Sequence, residues 1–291
     1  LRVDPTSERF EIPAESPLHL HFLRWGSRND VDDPARPVVV ALHGGGANAH
    51  WWDHLAPAWC DRMPVVALDF RGHGDSDHPE SLRVGAFNDD LEALLEHLGK
   101  SDVFLVGHSM GAAVALDHAA RSSDVRGLVL IDPARGGARR SRRTTRLALL
   151  FRRTYGSRQE AIDRYRFFPP ADHASEALRA AVARHSVRAE QDGRFGFKFD
   201  PRWFNLPPRE RPDASAVKCP VLVVRGAESP LLSAEGAARW LEDLPDARLV
   251  EVPEAGHHVQ MDRPEAVRDA VGAFLDALLE RGWYAGRGGA P

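Results

Sequence analysis

Apolar residues along this chain fall into short, dense runs, separated by longer stretches in which they recur every three or four positions. The dense runs are "PVVVALHG" (37–44), "MPVVALDF" (63–70), "DVFLVGHS" (102–109), "RGLVLIDP" (126–133), "CPVLVVRG" (219–226) and "ARLVEVPE" (247–254). Near-continuous β-branched runs bounded by turn residues suit strands buried on both faces, as in a parallel sheet. Between them, 84–99, 110–123 and 233–245 carry helical spacing. Residues 263–282 form a long final amphipathic helix, with apolar positions at 267, 271, 274, 275, 278 and 279. Near the start, "ERFEIP" and "LHLHFLRWG" read as an antiparallel pair. The pattern predicts an α/β fold: a doubly wound, mainly parallel, eight-stranded sheet.

One segment breaks the alternation. Residues 134–215 hold no convincing strand but several helical stretches, among them "TRLALLFRRTYG" and "SEALRAAVARHSV". The expectation is a helical cap inserted after the sixth strand, over a core made of 1–133 and 216–291. The segment carries 18 Arg and one Lys against nine acids, about +10, while the whole chain is −4, so the remainder is near −14.

Composition narrows the class. Of 291 residues 43% are hydrophobic and 27% charged, a globular balance, and no apolar run approaches the ~18–20 residues that span a bilayer. The N-terminal stretch lacks the apolar core of a secretory signal. Cys60 and Cys219 are too few for a disulfide framework and lack metal-ligand spacing. The expectation is a cytoplasmic protein with reduced cysteines, no metal and no cofactor.

The chemistry is carried by "GHSMG" (107–111). A serine between two glycines, where a buried strand turns into a helix, sits on a strained turn that pushes its hydroxyl out above the sheet. The helix that starts there offers unpaired N–H groups to developing negative charge. A serine needs a base, and His257 in "AGHH" follows the last strand, with Gly256 before it and His258 as competitor. "LHGGGAN" (42–48) brings the backbone N–H of Gly45 or Gly46 towards an oxyanion, with the N–H of Met110 as second donor.

With "HGGG", "LDFRGHGDS", "GHSMG", "LVLIDPA" and "AGHH" in this order, the chain resembles the α/β-hydrolase superfamily over about residues 10–282. The resemblance implies Ser109 as nucleophile, His257 as general base, and Gly45 and Met110 as oxyanion donors. Dehalogenases and epoxide hydrolases of this family place Asp where this chain has Ser109, which argues against both chemistries. The acid departs from the family pattern. Most members place Asp three residues after the Gly closing the penultimate strand, and here that residue is Ser229. Two acids remain open: Asp132, at the end of "LVLID", as some branches have it, and Glu228 as the alternative.

These residues imply a serine hydrolase that cleaves an ester, lactone, thioester or activated amide of a small molecule. A C–C bond hydrolase, a cofactor-free oxygenase and a ligand receptor with little turnover stand as alternatives on the same scaffold. Trp51, His108 and Arg135 are the expected substrate contacts. The run "ARGGARRSRRTTR" (134–146) holds six Arg in thirteen residues. It reads either as recruitment of an anionic substrate or as a solvated face. Trp52, Phe167, Phe168, Phe195, Phe197, Trp203 and Phe204 are further candidates for an apolar pocket or for packing. The expected partner is the small-molecule substrate, with no nucleic acid and no membrane, on a monomer or homodimer.

Overall fold

The computed structural model describes residues 4–12, 17–33, 36–135, 153–206 and 212–281. The chain opens with β1 (Thr6–Ile12), β2 (Leu18–Trp25) and a short α1 (Arg28–Asp32). Then come β3 (Val38–Leu42), α2 (Ala56–Cys60), β4 (Val65–Asp69), α3 (Ala86–His97), β5 (Val103–His108), α4 (Met110–Arg121) and β6 (Val125–Ile131). A second group holds β7 (Thr154–Tyr155), α5 (Arg158–Arg164), α6 (Glu176–His185), β8 (Val187–Ala189) and β9 (Phe195–Phe197). The chain then resumes with β10 (Val221–Gly226), α7 (Ala234–Asp243), β11 (Ala247–Val252), α8 (Val259–Asp262) and α9 (Pro264–Glu280).

Eight strands form one sheet in the order β1-β2-β4-β3-β5-β6-β10-β11. The β1–β2 and β2–β4 pairs are antiparallel and every other pair is parallel. The runs read from sequence coincide with these strands because both faces are covered. In β3, Val38, Val40 and Leu42 join the core under α3 and α4, and Val39 and Ala41 join the core under α2 and α9. A strand buried on both sides has no polar face to show, so its sequence shows none either. No helix among the described residues is long and apolar enough to cross a membrane.

The stretch between β6 and β10 differs from its expectation. It contains α5 and α6, but also a three-stranded antiparallel sheet, β7-β9-β8. These strands are two or three residues long, too short for an alternation to emerge from the sequence. Both helices begin at serines whose side chains accept a backbone N–H three residues on: Ser157 from Glu160 and Ser175 from Leu178. The helical reading of 145–156 falls mostly outside the described residues, and its end, Thr154–Tyr155, is strand.

At the antiparallel edge, a string of side chains crosses three strands. Ser7 Oγ bonds His21 Nε2 at 2.8 Å, and His21 Nδ1 bonds the buried Asp69 at 2.7 Å. Asp69 also accepts from the N–H groups of Ala49 (2.6 Å) and Asp75 (2.9 Å), fixing the loops after β3 and β4. Burial raises the Asp69 pKa, but the hydrogen bond and charge of His21 outweigh it, leaving the carboxyl at about 2.

The first turn of α4 lies against the ends of β3 and β5. A Cβ on Gly111 would stand 2.3 Å from the Leu42 carbonyl oxygen, and one on Gly107 would stand 2.5 Å from the Gly111 oxygen. Backbone cannot yield there as a flexible side chain would. Gly111→Ala is expected to lose about 1–3 kcal/mol of stability, read as a lower midpoint in urea denaturation.

Candidate active site

The parallel strands all end at one edge, and the loops that leave them there converge. At the end of β5 the chain reverses through Ser109, whose φ of 50° and ψ of −108° lie outside the common regions for a non-glycine residue. Holding such a conformation costs about 1–3 kcal/mol. The bond from Ser109 N–H to the Ile131 carbonyl (3.0 Å) helps to hold the turn. Serine at this position ordinarily caps a helix, yet the Ser109 hydroxyl makes no capping bond to α4. The first N–H groups of α4, that of Met110 included, have no acceptor within the helix.

The hydroxyl turns to His257 instead. Ser109 Oγ lies 3.0 Å from His257 Nε2, and His257 Nδ1 lies 2.6 Å from Asp132 Oδ2. With Nδ1–H donating to the carboxylate, Nε2 is left to accept the serine proton. Asp132 follows β6 at φ 46° and is fully buried. Its Oδ1 accepts from Gly226 N–H (3.3 Å) and its Oδ2 from the Ser229 hydroxyl (2.6 Å). Ser229, the residue three positions after Gly226, thus donates to the carboxylate that His257 faces. Ser229 Oγ in turn accepts from the N–H groups of Leu231 and Leu232.

Glu228, the other acid weighed, does not reach His257. Its carboxylate is half exposed and pairs with His173 at 3.0 Å. The backbone there runs the other way: Glu228 N–H donates to the Ala255 carbonyl, tying the loop to the histidine-bearing turn. Gly226 permits that approach, since a Cβ on it would sit 2.1 Å from the Gly256 oxygen. Buried Asp262 completes the anchorage by accepting from the N–H groups of Gly256 (2.8 Å) and His173 (3.0 Å). Nothing in the sequence singled out Asp262 or Ser229 for these tasks, because each acts through backbone that only the fold brings near.

A cavity of about 470 Å³ opens over Ser109, within the range of small-molecule sites. Of the expected site residues, Gly45, Trp51, His108 and Met110 line it. Phe168, Pro169, Trp203 and Pro212 come from the segment between β6 and β10. Leu231 and Trp240 also line it, and both escaped the sequence reading because they belong to the loop and helix after β10. Gly46 is set back from this cavity at φ 75°, in the turn closed by Ala47 N–H to the Gly44 carbonyl. Gly45 lies against Trp203 so closely that a Cβ would meet the indole at 2.0 Å. His43, which the sequence reading passed over, holds the glycine loop: Nδ1 donates to the Gly44 carbonyl and Nε2 accepts from Phe70 N–H.

Arg135 is not a cavity residue. Its guanidinium pairs with Asp243 at 2.7 Å and lies 4.6 Å above the Trp240 ring, outside the cavity, so its expected contact with substrate is withdrawn. The ion pair and the aromatic face account for the charge. Of the arginine run 134–146, the rest lies outside the described residues. Among the aromatic candidates, Trp52 packs on Trp59 in the core, and Phe167 and Phe197 line a neighbouring pocket.

His108, His257 and His258 present ring nitrogens within 4.8 Å of one another. A metal there would have to break existing bonds: His257 is engaged at both nitrogens, and His108 Nε2 donates to the His257 carbonyl at 3.1 Å. Burial, and next the neighbouring His257, push the His108 and His258 pKa values well below 6.5, so both rings are neutral in the fold.

The fold and the serine–histidine–aspartate string define a class, the hydrolases built on a mainly parallel α/β sheet. The sequence model of the Alpha/beta hydrolase family matches residues 39–270, and the chain belongs to that family. It is 30% identical over 284 residues to an esterase of Mycobacterium tuberculosis, covering 94% of this chain and 90% of that protein. It is also 30% identical over 261 residues to 2-(acetamidomethylene)succinate hydrolase of Mesorhizobium japonicum, covering 83% and 88%. A crystal structure of E-2-(acetamidomethylene)succinate hydrolase superposes with a TM-score of 0.78 at 26% identity, covering 94% of this chain and 99% of that one. The chain is thus an enzyme of the esterase and hydrolase type.

The two neutral imidazoles generate a pH dependence. The unfolded chain takes up protons near pH 6.5 while folded His108 and His258 do not, so their contribution is complete above that pH and is lost as pH falls towards their lower folded values. Each is expected to cost about 1.4 kcal/mol per pH unit below 6.5. Urea midpoints at pH 7.5 and 5.5 should show the loss, and His258→Phe should make it shallower.

Proposed function

We propose that this chain hydrolyses a carboxylic ester, or a related thioester, lactone or activated amide, of a small molecule through a Ser109–His257–Asp132 triad. The observation that carries the reading is the continuous string of 3.0 Å and 2.6 Å hydrogen bonds, ending on a serine that faces the cavity. Ser109 Oγ attacks the acyl carbon while His257 Nε2 takes its proton. His257 then returns the proton to the leaving group as the tetrahedral intermediate collapses. Water repeats the sequence on the acyl-enzyme, with the same histidine as base. Asp132 keeps the imidazole in the tautomer whose Nε2 accepts, and stabilises the imidazolium that forms.

The oxyanion is assigned to the N–H groups of Met110, at the head of α4, and Gly45, which lines the cavity beside Ser109. One such donor contributes about 10²–10³ in rate. Gly46 is set aside because, unlike Gly44 and Gly45, it does not line the cavity. The stretch between β6 and β10 is assigned the role of a cap, since Phe168, Pro169 and Trp203 close the cavity and make it largely apolar. The names of the two relatives, an esterase and a hydrolase of an acetamido compound, agree with acyl chemistry.

Two measurements test the reading. A fluorophosphonate probe should add once to the intact protein, as read by mass, and not at all to Ser109→Ala. No adduct on the folded wild type would remove the proposal. Among the acids, Asp132→Asn should lower kcat by about 10³–10⁴-fold, and Glu228→Gln should leave it within a few-fold. Adding Ser229→Asp to Asp132→Asn should return part of the activity, because that side chain already reaches the same carboxylate's place.

A further inference from the structure

Beside the cavity over Ser109 lies a smaller one, of about 140 Å³. The two share Gly45, Trp51, Phe168 and His258 as common wall. Their chemistry differs sharply. No arginine lines the larger cavity among the described residues, whereas Arg153, Arg164 and Arg166 all line the smaller one and no acidic residue does. Arg166 is fixed in place, its Nη1 donating to the carbonyls of Asp163 (2.7 Å) and Tyr165 (2.6 Å). Arg153 and Arg164 have no hydrogen-bond or ion-pair partner among the described residues. The nearest acids on α5 are otherwise engaged: Glu160 accepts from Gly156 N–H and Asp163 from the Gln159 side chain.

Three arginines line one small concavity in which no acidic residue takes part among the described residues, so its local charge favours an anion. A planar carboxylate matches the donor fork of arginine with two parallel bonds. The shared wall runs along Gly45, the residue assigned to the oxyanion. A substrate whose acyl carbon sits at Ser109 and which extends past Gly45 and Trp51 would bring its far end to these arginines. We infer that the smaller cavity is a carboxylate subsite, and that the preferred substrates are monoesters or related acyl derivatives bearing a free carboxylate a few carbons from the bond that breaks. The inference rests on the hydrolase reading for the position of that bond. The subsite itself rests only on the arginines and the two cavities.

Binding to Ser109→Ala separates the two. Calorimetry would compare the monomethyl esters of succinic, glutaric and adipic acid with methyl butyrate, pentanoate and hexanoate. At least one acid is expected to bind tenfold or more tightly than its neutral counterpart, with an affinity that falls as salt is raised. The advantage should vanish when Arg153→Gln and Arg164→Gln are added; both residues are exposed, and the melting temperature checks that the fold is kept. Equal affinities within all three pairs, or a preference that survives both substitutions, would overturn the subsite. If the preference is found but wild-type protein leaves all six esters intact, the subsite stands and the hydrolase reading alone falls.

Discussion

A hydrogen bond of 2.6 Å from His257 to Asp132 holds the two ends of the site together. Asp132 ends the strand beside that of Ser109, and His257 lies beyond the last strand of the sheet, two strands further out. Between them runs β10, and the loop that follows it serves as brace. Gly226 and Ser229 donate to the carboxylate, while Ala227 and Glu228 donate to carbonyls on the histidine side. An imidazole held this way by Nδ1 has only Nε2 left, and that nitrogen faces Ser109. At the positive φ angles of Ser109 and Asp132 the residues' own N–H groups are tied to neighbouring strands, that of Ser109 to the Ile131 carbonyl and that of Asp132 to the Val224 carbonyl.

Much of this was legible in the sequence, for uneven reasons. Strands such as β3 and β5 announce themselves because both of their faces are buried, and "GHSMG" because only glycine tolerates backbone 2.3–2.5 Å from a would-be Cβ. Asp132 was reached through a gap: the usual acid position holds Ser229, and an aspartate at the end of another strand was the first of two acids left. Only the fold brings that aspartate within reach of His257 and turns Glu228 outward to His173. Asp262 left no sequence trace, because its partners are backbone N–H groups at positions 256 and 173.

The arginines between β6 and β10 show a different limit. Their number reads as a charge, but much of it is spent on backbone. Arg158 donates to the Arg184 carbonyl, Arg179 to those of Asp172 and Ala174, Arg194 to that of Thr154, and Arg202 to that of Pro79. A segment whose strands are two or three residues long leaves many carbonyls without a ladder, and a five-donor guanidinium fills them at several angles. Net charge could not separate these from Arg153 and Arg164, which have no such duty among the described residues.

The string Ser7–His21–Asp69 repeats, side chain for side chain, the order found at Ser109. Its distances, 2.8 and 2.7 Å, are close to the 3.0 and 2.6 Å of the other string. Ser7, however, sits in the run of an extended edge strand, at ordinary backbone angles, with no helix starting behind it. A template of three side chains would therefore find two matches in one chain of this size. What tells them apart is the main chain, which at one serine is bent sharply where a strand hands over to a helix, and at the other merely passes by.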